Sequence, residues 1–261
     1  MRRWWREFSG LVLPVACAGC GRPRTELCPA CGTALSGAPA RRVRPSPPPA
    51  GLPAVHAAAP YENAVRAVLL AHKERGALGL AGPLGRALAA CVRAGTGQAG
   101  AVGPLLLVPV PSARSATAAR GHDPVRRIAR AAAGELRRTG DPARVLPVLR
   151  QRRAVADQSG LGARRRWANL AGALEVVPGG ERLLAHGRVV LVDDLLTTGA
   201  TLAEAARAVT EALGDGPGVC GRGACPAAVV AASPSAFEIN RNQPRTCVVA
   251  GNERAKPTER R

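Results

Sequence analysis

Residues 189–201 constrain the fold of this chain more than any other segment. The segment begins with four apolar residues, a pattern typical of a strand buried on both faces. Asp193 and Asp194 follow at the carboxyl end of the predicted strand, where open α/β sheets bind their ligands. A tight turn containing Gly199 then begins a helix, and the unpaired amides and positive dipole end of such a helix form an anion site. The segment therefore predicts a strand–turn–helix unit that binds a sugar phosphate.

Strands and helices alternate along the rest of the chain. Because aromatic residues make up only 2% of the sequence, the core must consist of Ala, Val and Leu, which suits helices packed closely on a sheet. The alternation predicts an α/β fold with a parallel sheet. The predicted helices cover about 61–75, 78–94, 123–138 and 200–213, and the predicted strands cover 105–110, 189–192 and 227–232.

Proline content marks the clearest domain boundary. Residues 39–53 are proline-rich, which predicts a stiff, extended linker. Residues after Ser233 lack periodicity, and we expect them to be disordered. The predicted organisation is a small module at 1–38, a linker at 39–56, the main domain at 57–233 and a tail at 234–261.

Four cysteines in the first predicted module have the spacing of a metal site. Cys17 and Cys20 form one pair, and Cys28 and Cys31 form a second after an interval of seven residues. Two such pairs supply the four thiolates of a tetrahedral Zn²⁺ site. Disulfides are the alternative, and they are disfavoured in a reducing cytoplasm. We expect a structural zinc, because so short a segment does not hold itself together without metal.

Residues 189–201 resemble, along their whole length, the loop with which type I phosphoribosyltransferases bind 5-phosphoribosyl-1-pyrophosphate (PRPP). A longer series of motifs, from residue 11 to about residue 233, resembles the ComF/GntX proteins, which are linked to DNA uptake or related nutrition in bacteria. The resemblance implies a three-layer type I phosphoribosyltransferase fold with a parallel sheet and a small N-terminal zinc-binding module. The motifs are the paired cysteines, Tyr61, 70–76, 108–111, 120–121, and 158–161 with Arg166 and Asn169 behind them.

The same resemblance assigns roles to the acidic pair and the turn. It implies that Asp193 and Asp194 hold the ribose 2- and 3-hydroxyls, with Mg²⁺ nearby. It also implies that the turn holds the 5-phosphate of PRPP. The residues of the turn are Thr197, Thr198, Gly199, Ala200 and Thr201.

A second group of residues is placed to contact the pyrophosphate of PRPP. Val110, Pro111 and Ser112 follow the first predicted strand of the main domain. Arg120 would neutralise charge on the leaving group, which a dissociative displacement at C1 of ribose requires. Lys73, one of only two lysines, is a candidate ligand contact. The alternative for Ser112 is a strand end closed by prolines, and for Arg120 and Lys73 a solvated surface cation.

Two functions follow from the resemblance. The first is Mg²⁺-dependent phosphoribosyl transfer from PRPP to an unidentified acceptor. Two departures from the pattern favour the second, a non-catalytic protein that senses PRPP or assists DNA uptake. Thr197 stands where purine salvage enzymes often have an acidic base, and Thr does not abstract a proton at neutral pH. His122-Asp123-Pro124 replaces the usual aromatic and amide residues after Gly121.

Arginine dominates the charge of the chain. The formal net charge is +19, and the stretch 120–170 carries thirteen Arg against four acidic residues. Such a field attracts phosphate, either as a small ligand or as single-stranded DNA. Trp167 is the only aromatic in the stretch, which favours solvated faces and ligand phosphate over stacked bases. No run approaches the roughly 20 apolar residues of a membrane span. We therefore expect a cytoplasmic protein.

Overall fold

The computed structural model of the protein describes residues 15–97, 103–153, 171–214 and 225–238. The motif residues 158–161, Arg166 and Asn169 lie outside these ranges. The strands are β1 (Arg41–Val43), β2 (Val55–Pro60), β3 (Leu105–Pro109), β4 (Ala143–Val145), β5 (Leu149–Gln151), β6 (Leu174–Val176), β7 (Arg188–Leu196) and β8 (Ala227–Ala232). The helices are α1 (Pro29–Ser36), α2 (Asn63–Glu74), α3 (Ala81–Thr96), α4 (Arg114–Arg120), α5 (Pro124–Arg138), α6 (Gly180–Leu184), α7 (Ala200–Leu213) and α8 (Pro234–Glu238).

The main sheet has six strands in the order β1-β2-β8-β7-β3-β4. All neighbours are parallel except β1, which runs antiparallel to β2. The prediction of an α/β protein with a mostly parallel sheet is therefore confirmed. From β3 the chain continues to β4 on one side, and from β7 it continues to β8 on the other. The strand order reverses between β3 and β7, and ligands of open α/β sheets bind at the carboxyl edge of such a switch point.

Hydrophobic cores lie on both faces of the sheet. One core lies under α2, α3 and α5 and includes Leu88 and Ile128. The other lies under α7 and includes Leu202. Small side chains bring α3 and α5 close together, since a Cβ on Gly85 would lie 2.5 Å from the Cβ of Ala131. The close helix packing expected from an Ala-rich sequence is therefore present.

Strand β7 is longer than its apolar run predicts. The sequence indicates a strand over 189–192, whereas β7 continues to Leu196. The reason is that pairing with β8 continues from Asp193, opposite Val229, to Leu196, opposite Ala232. The two carboxylates therefore lie within the last part of the strand and not beyond its end.

Segments expected at the periphery of the main domain join its cores. Leu35 of α1 is buried in the core under α2 and α3. Within the proline-rich stretch, β1 forms an edge strand and Val43 is buried. The prediction of a disordered tail is wrong for residues 234–238, because Phe237 of α8 is buried in the core on the α7 side. No helix in the described ranges has the length and apolar character needed to cross a membrane.

Candidate functional site

The acidic pair of β7 is contacted by a lysine from α2. Asp194 is buried and Asp193 is half-buried. The Nζ of Lys73 donates a hydrogen bond to Oδ2 of Asp194 at 2.8 Å, and the amide of Asp194 donates to Oδ1 of Asp193, also at 2.8 Å. Lys73 therefore lies beside the predicted acidic pair, and its partner is an acidic residue 121 positions away.

The surroundings of the site shift the pKa of Asp193 and that of Lys73. Burial, and then the neighbouring charge of Asp194, raises the pKa of Asp193 well above its usual value. Burial alone would lower the pKa of Lys73, but the charge of Asp194 outweighs it and the pKa is raised. Lys73 thus stays protonated at neutral pH, and its ammonium is a fixed cation beside the acidic pair.

The turn after β7 presents free backbone donors at the start of α7. Gly199 has φ +78°, a left-handed conformation that glycine adopts readily. Across the described residues, the amides of Thr197, Thr198, Gly199 and Thr201 have no hydrogen-bond partner. The amide of Ala200 lies 3.4 Å from Oγ1 of Thr198. This arrangement is suited to an anion, because amides without a partner lie at the positive end of the helix dipole.

The proline-rich segment covers this turn. A Cβ on Gly199 would lie 2.9 Å from Cδ1 of Leu52 and 3.2 Å from Cγ of Pro49. The sequence analysis missed this contact. Leu52 is the only large apolar side chain among residues 45–53, and that isolation was the available signal. Residues expected to form a linker therefore form one wall of the turn.

The end of β3 lies directly beside the acidic pair. The amide of Val110 donates to the carbonyl of Val192 at 2.9 Å, which fixes Pro111 and Ser112 at the carboxyl edge. Pro111 and Ser112 line a cavity of about 560 Å³. The remaining lining residues are Thr117, Ala118, Gly121, Asp123, Leu149, Arg150 and Gln151. The cavity thus lies between the end of β3, the start of α5 and the β5–β6 hairpin, and it is large enough for a small ring compound.

The carboxyl end of α2 joins this cavity to the acidic pair. Glu74, next to Lys73, accepts a hydrogen bond from Nε of Arg120 at 2.8 Å. Nε2 of His122 lies 3.2 Å from the carbonyl oxygen of His72. The Nη1 of Arg120 is buried and has no partner among the described residues. Arg120 is therefore held in place through Nε, whereas Nη1 makes no hydrogen bond to the described residues. The sequence analysis named Glu74 within the motif 70–76 and His122 as a departure from the family pattern, but it predicted neither contact.

An ion pair between the buried Glu204 and the exposed Arg207 attaches the β5–β6 hairpin to α7. Glu204 is 5% exposed and accepts a hydrogen bond from the amide of Leu174 at 3.0 Å. Arg207 contacts both Glu204, at 2.8 Å, and the carbonyl of Leu174, at 2.9 Å. Burial opposes ionisation of Glu204, but Arg207 outweighs it and the pKa of Glu204 is lowered. The hairpin that lines the cavity is therefore held on α7, the helix that begins at the Gly199 turn.

Four cysteines converge near the amino terminus, as the sequence predicts. The sulfurs of Cys17, Cys20, Cys28 and Cys31 all lie within 4.8 Å of one another. The Cys20–Cys28 sulfur distance is 3.6 Å. Zinc–sulfur bonds of about 2.3 Å in a tetrahedron require sulfurs about 3.8 Å apart, so the donor set fits Zn²⁺. With four sulfur ligands the coordination is closed, which is typical of structural sites.

Backbone amides favour thiolates in this cluster. Burial opposes ionisation of Cys17, but hydrogen bonds led by the amide of Cys28 lower its pKa to about 6. Burial raises the pKa of Cys31, and a bound metal would favour its thiolate. The cluster also packs on α2, because a Cβ on Gly19 would lie 3.2 Å from the Cβ of Ala64. Outside it, Cys91 is buried in α3, as expected, and Cys225 is disulfide-bonded.

The arginines of α5 lie on its solvent face. Val125, Ile128 and Leu136 are buried, whereas Arg127 and Arg130 are exposed and form no ion pair with any described residue. This pattern fits the solvated face of an amphipathic helix. Part of the basic stretch, including residues 164–166, lies outside the described residues.

These features define an α/β protein of mostly parallel sheet, with an acidic pair and a glycine turn at its switch point and a four-cysteine cluster suited to zinc. No protein-family profile matches the chain, and no curated protein matches it significantly.

Proposed function

We propose that the carboxyl edge of the sheet binds PRPP or a closely related nucleotide, and that the chain is a ComF/GntX-like protein with a type I phosphoribosyltransferase fold. One observation carries the proposal: the Asp193–Asp194 pair lies within a few residues of four amides that have no partner among the described residues. The carboxylates can accept hydrogen bonds from the ribose hydroxyls, and the amides can donate to the phosphate. The two groups thus match the two ends of a ribose 5-phosphate.

The proposed pose places the 5-phosphate in the turn Thr197–Thr201 and the ribose hydroxyls on the acidic pair. The pyrophosphate then lies toward Ser112 and Arg120, where Arg120 has a buried nitrogen without a partner among the described residues. In a transfer reaction, Mg²⁺ on the departing diphosphate would neutralise the charge that develops there. Since no acidic side chain stands at position 197, stabilisation of the leaving diphosphate would supply most of the rate of phosphoribosyl transfer.

Calorimetric titration with PRPP and Mg²⁺ tests the proposal. We expect binding heat with the wild type and a loss of affinity of at least about tenfold in Asp193→Asn/Asp194→Asn, because each carboxylate provides charge-assisted hydrogen bonds. Asp141→Asn is the matched control, since Asp141 pairs with Arg93 near the amino end of β3, away from the site. Absence of binding heat in the wild type would refute the proposal.

Pyrophosphate release distinguishes a transferase from a sensor. The cavity beside Ser112 is the proposed place of the acceptor. If the protein is a transferase, pyrophosphate is released from PRPP when the correct acceptor from a panel of bases is added. If PRPP binds and no acceptor in a broad panel releases pyrophosphate, the sensor function is favoured.

The second candidate is a DNA-uptake accessory protein that binds single-stranded DNA through α5 and the cysteine module. Arg127 and Arg130 are exposed, and α1 and α5 pack into the same core on one side of the sheet. This function predicts an affinity for single-stranded DNA that falls steeply with salt and weakens in Arg127→Gln/Arg130→Gln. Binding that is absent or insensitive to salt would exclude it.

A further inference from the structure

We propose that Lys73 is the cation that the protein supplies to Asp194, so that the site binds its phosphoribosyl ligand without a metal ion bridging the ligand to the acidic pair. The inference rests on the proposed function for the identity of the ligand. It goes further, because it assigns Lys73 a part in deciding between metal-dependent and metal-independent binding.

The geometry places the ammonium where a bridging metal would bind. Nζ of Lys73 lies 2.8 Å from Oδ2 of Asp194, and the Asp194 side chain is only 8% exposed. A carboxylate this buried offers few positions for a second cation. A divalent ion on Oδ2 would lie a few ångströms from the ammonium, and like charges at that distance repel. Metal binding to Asp194 therefore requires that Lys73 first leave.

The position of Lys73 on α2 opposes its departure. The residues on either side are both held: His72 is fully buried, and Glu74 is paired with Arg120. The ammonium is thus attached to a helix end that is fixed at two further points. Lys73 also differs from a surface lysine because its partner Asp194 is buried and its ammonium is in direct contact with that carboxylate.

The same ammonium can serve the ligand. An ammonium has three N–H donors, and Lys73 uses one of them on Asp194 and none on any other described residue. The side chain is 32% exposed, so protein atoms do not fully enclose it. Arg120 pairs with Glu74, the residue after Lys73, so the two cations lie near each other. Together they would bind the diphosphate.

Titration with Mn²⁺ alone tests the inference without PRPP. Mn²⁺ binding to the zinc-loaded full-length protein is followed by the loss of its free-ion paramagnetic resonance signal. We expect Lys73→Met to bind Mn²⁺ at least about tenfold more tightly than the wild type, because the competing cation is gone. Lys73→Gln, which keeps a donor for Asp194, should behave like Lys73→Met and covers the case in which the methionine variant fails to fold. Arg66→Met removes an exposed cation from the same helix and should leave Mn²⁺ binding unchanged.

The inference is overturned if the Lys73 variants bind Mn²⁺ no more tightly than the wild type does. PRPP titration with and without EDTA completes the test. The wild type should keep its PRPP affinity within about threefold in EDTA, whereas Lys73→Gln should lose at least about tenfold in EDTA and recover with Mg²⁺. If wild-type binding of PRPP falls more than tenfold in EDTA, the inference is wrong while the proposed function stands. If PRPP binds neither protein with or without Mg²⁺, the proposed function is wrong, and the Mn²⁺ titration still decides whether Lys73 excludes a metal.

Discussion

Leu52 lies against Gly199, with its Cδ1 2.9 Å from the place that a Cβ on Gly199 would occupy. A residue of the proline-rich segment thereby covers the backbone of the anion-binding turn. The contact leaves no room for a side chain at position 199, and φ +78° independently favours glycine there. Both the conformation and the packing of the turn therefore depend on this glycine.

Gly199→Ala should lower the free energy of unfolding by about 1–3 kcal/mol, from left-handed strain plus the contact with Leu52. Adding Leu52→Ala should remove the steric part of the effect and leave the strain. The control is Gly134→Ala, in the middle of α5, where φ is ordinary and no atom lies within 4 Å of the added Cβ. That change should stabilise the protein by about 0.5–1 kcal/mol. Urea unfolding measures all three, and a neutral Gly199→Ala would contradict the described turn.

The ion pair between Glu204 and Arg207 should stabilise the attachment of the β5–β6 hairpin. Glu204→Ala leaves the amide of Leu174 without its acceptor, and we expect a loss of about 2 kcal/mol. Glu211→Gln removes the other partner of Arg207, which is exposed, and should cost less than about 1 kcal/mol. Equal effects of the two changes would show that burial of Glu204 does not matter.

The contribution of Glu204 should also depend on pH. Its folded-state pKa is lowered, so the stabilisation is present above the unfolded-state pKa and is lost as pH falls through the folded-state pKa. The difference in urea midpoint between the wild type and Glu204→Gln should therefore shrink in acid. A difference that stays constant from neutral pH to acid would contradict this assignment.

Asp193 should show the opposite pH dependence. Its folded-state pKa is raised, so ionisation destabilises the protein as pH rises from the unfolded-state pKa through the folded-state pKa. Asp193→Asn should therefore raise the melting temperature at pH 8 more than at pH 5, while it lowers the affinity for PRPP. The amide oxygen of Asn can still accept the hydrogen bond from the amide of Asp194. A variant less stable than the wild type at pH 8 would contradict the burial of this carboxyl.

The four-cysteine cluster should hold one zinc per chain. Protein purified under reducing conditions should contain about one equivalent of zinc by elemental analysis, and Cys28→Ser should lose it. Cys91→Ala is the control: it removes a cysteine buried in α3, and zinc should be retained. Much less than one zinc in the wild type would refute the metal site. Loss of zinc in Cys91→Ala would instead indicate that a general loss of folding releases the metal.

Secondary structure and contacts between residues close along the chain could be predicted from the sequence alone. The helix Ala200–Leu213 and the strand Ala227–Ala232 appear where periodicity and apolar runs predict them. The four cysteines converge because two short pairs seven residues apart can reach a common centre. The left-handed turn at Gly199 likewise follows from local backbone preference.

Contacts between residues far apart in the sequence follow only from the tertiary structure. Lys73 contacts Asp194, and Leu52 covers Gly199, because the sheet order places β2 and α2 near the carboxyl end of β7. No periodicity encodes that order, since strands of similar apolar composition can pair in several ways. Burial of Phe237 in α8 depends in the same way on a core assembled from the whole chain. The strand–turn–helix conformation around Gly199 was therefore predictable from the sequence, whereas its contacts with Lys73 and Leu52 and the adjoining cavity were not.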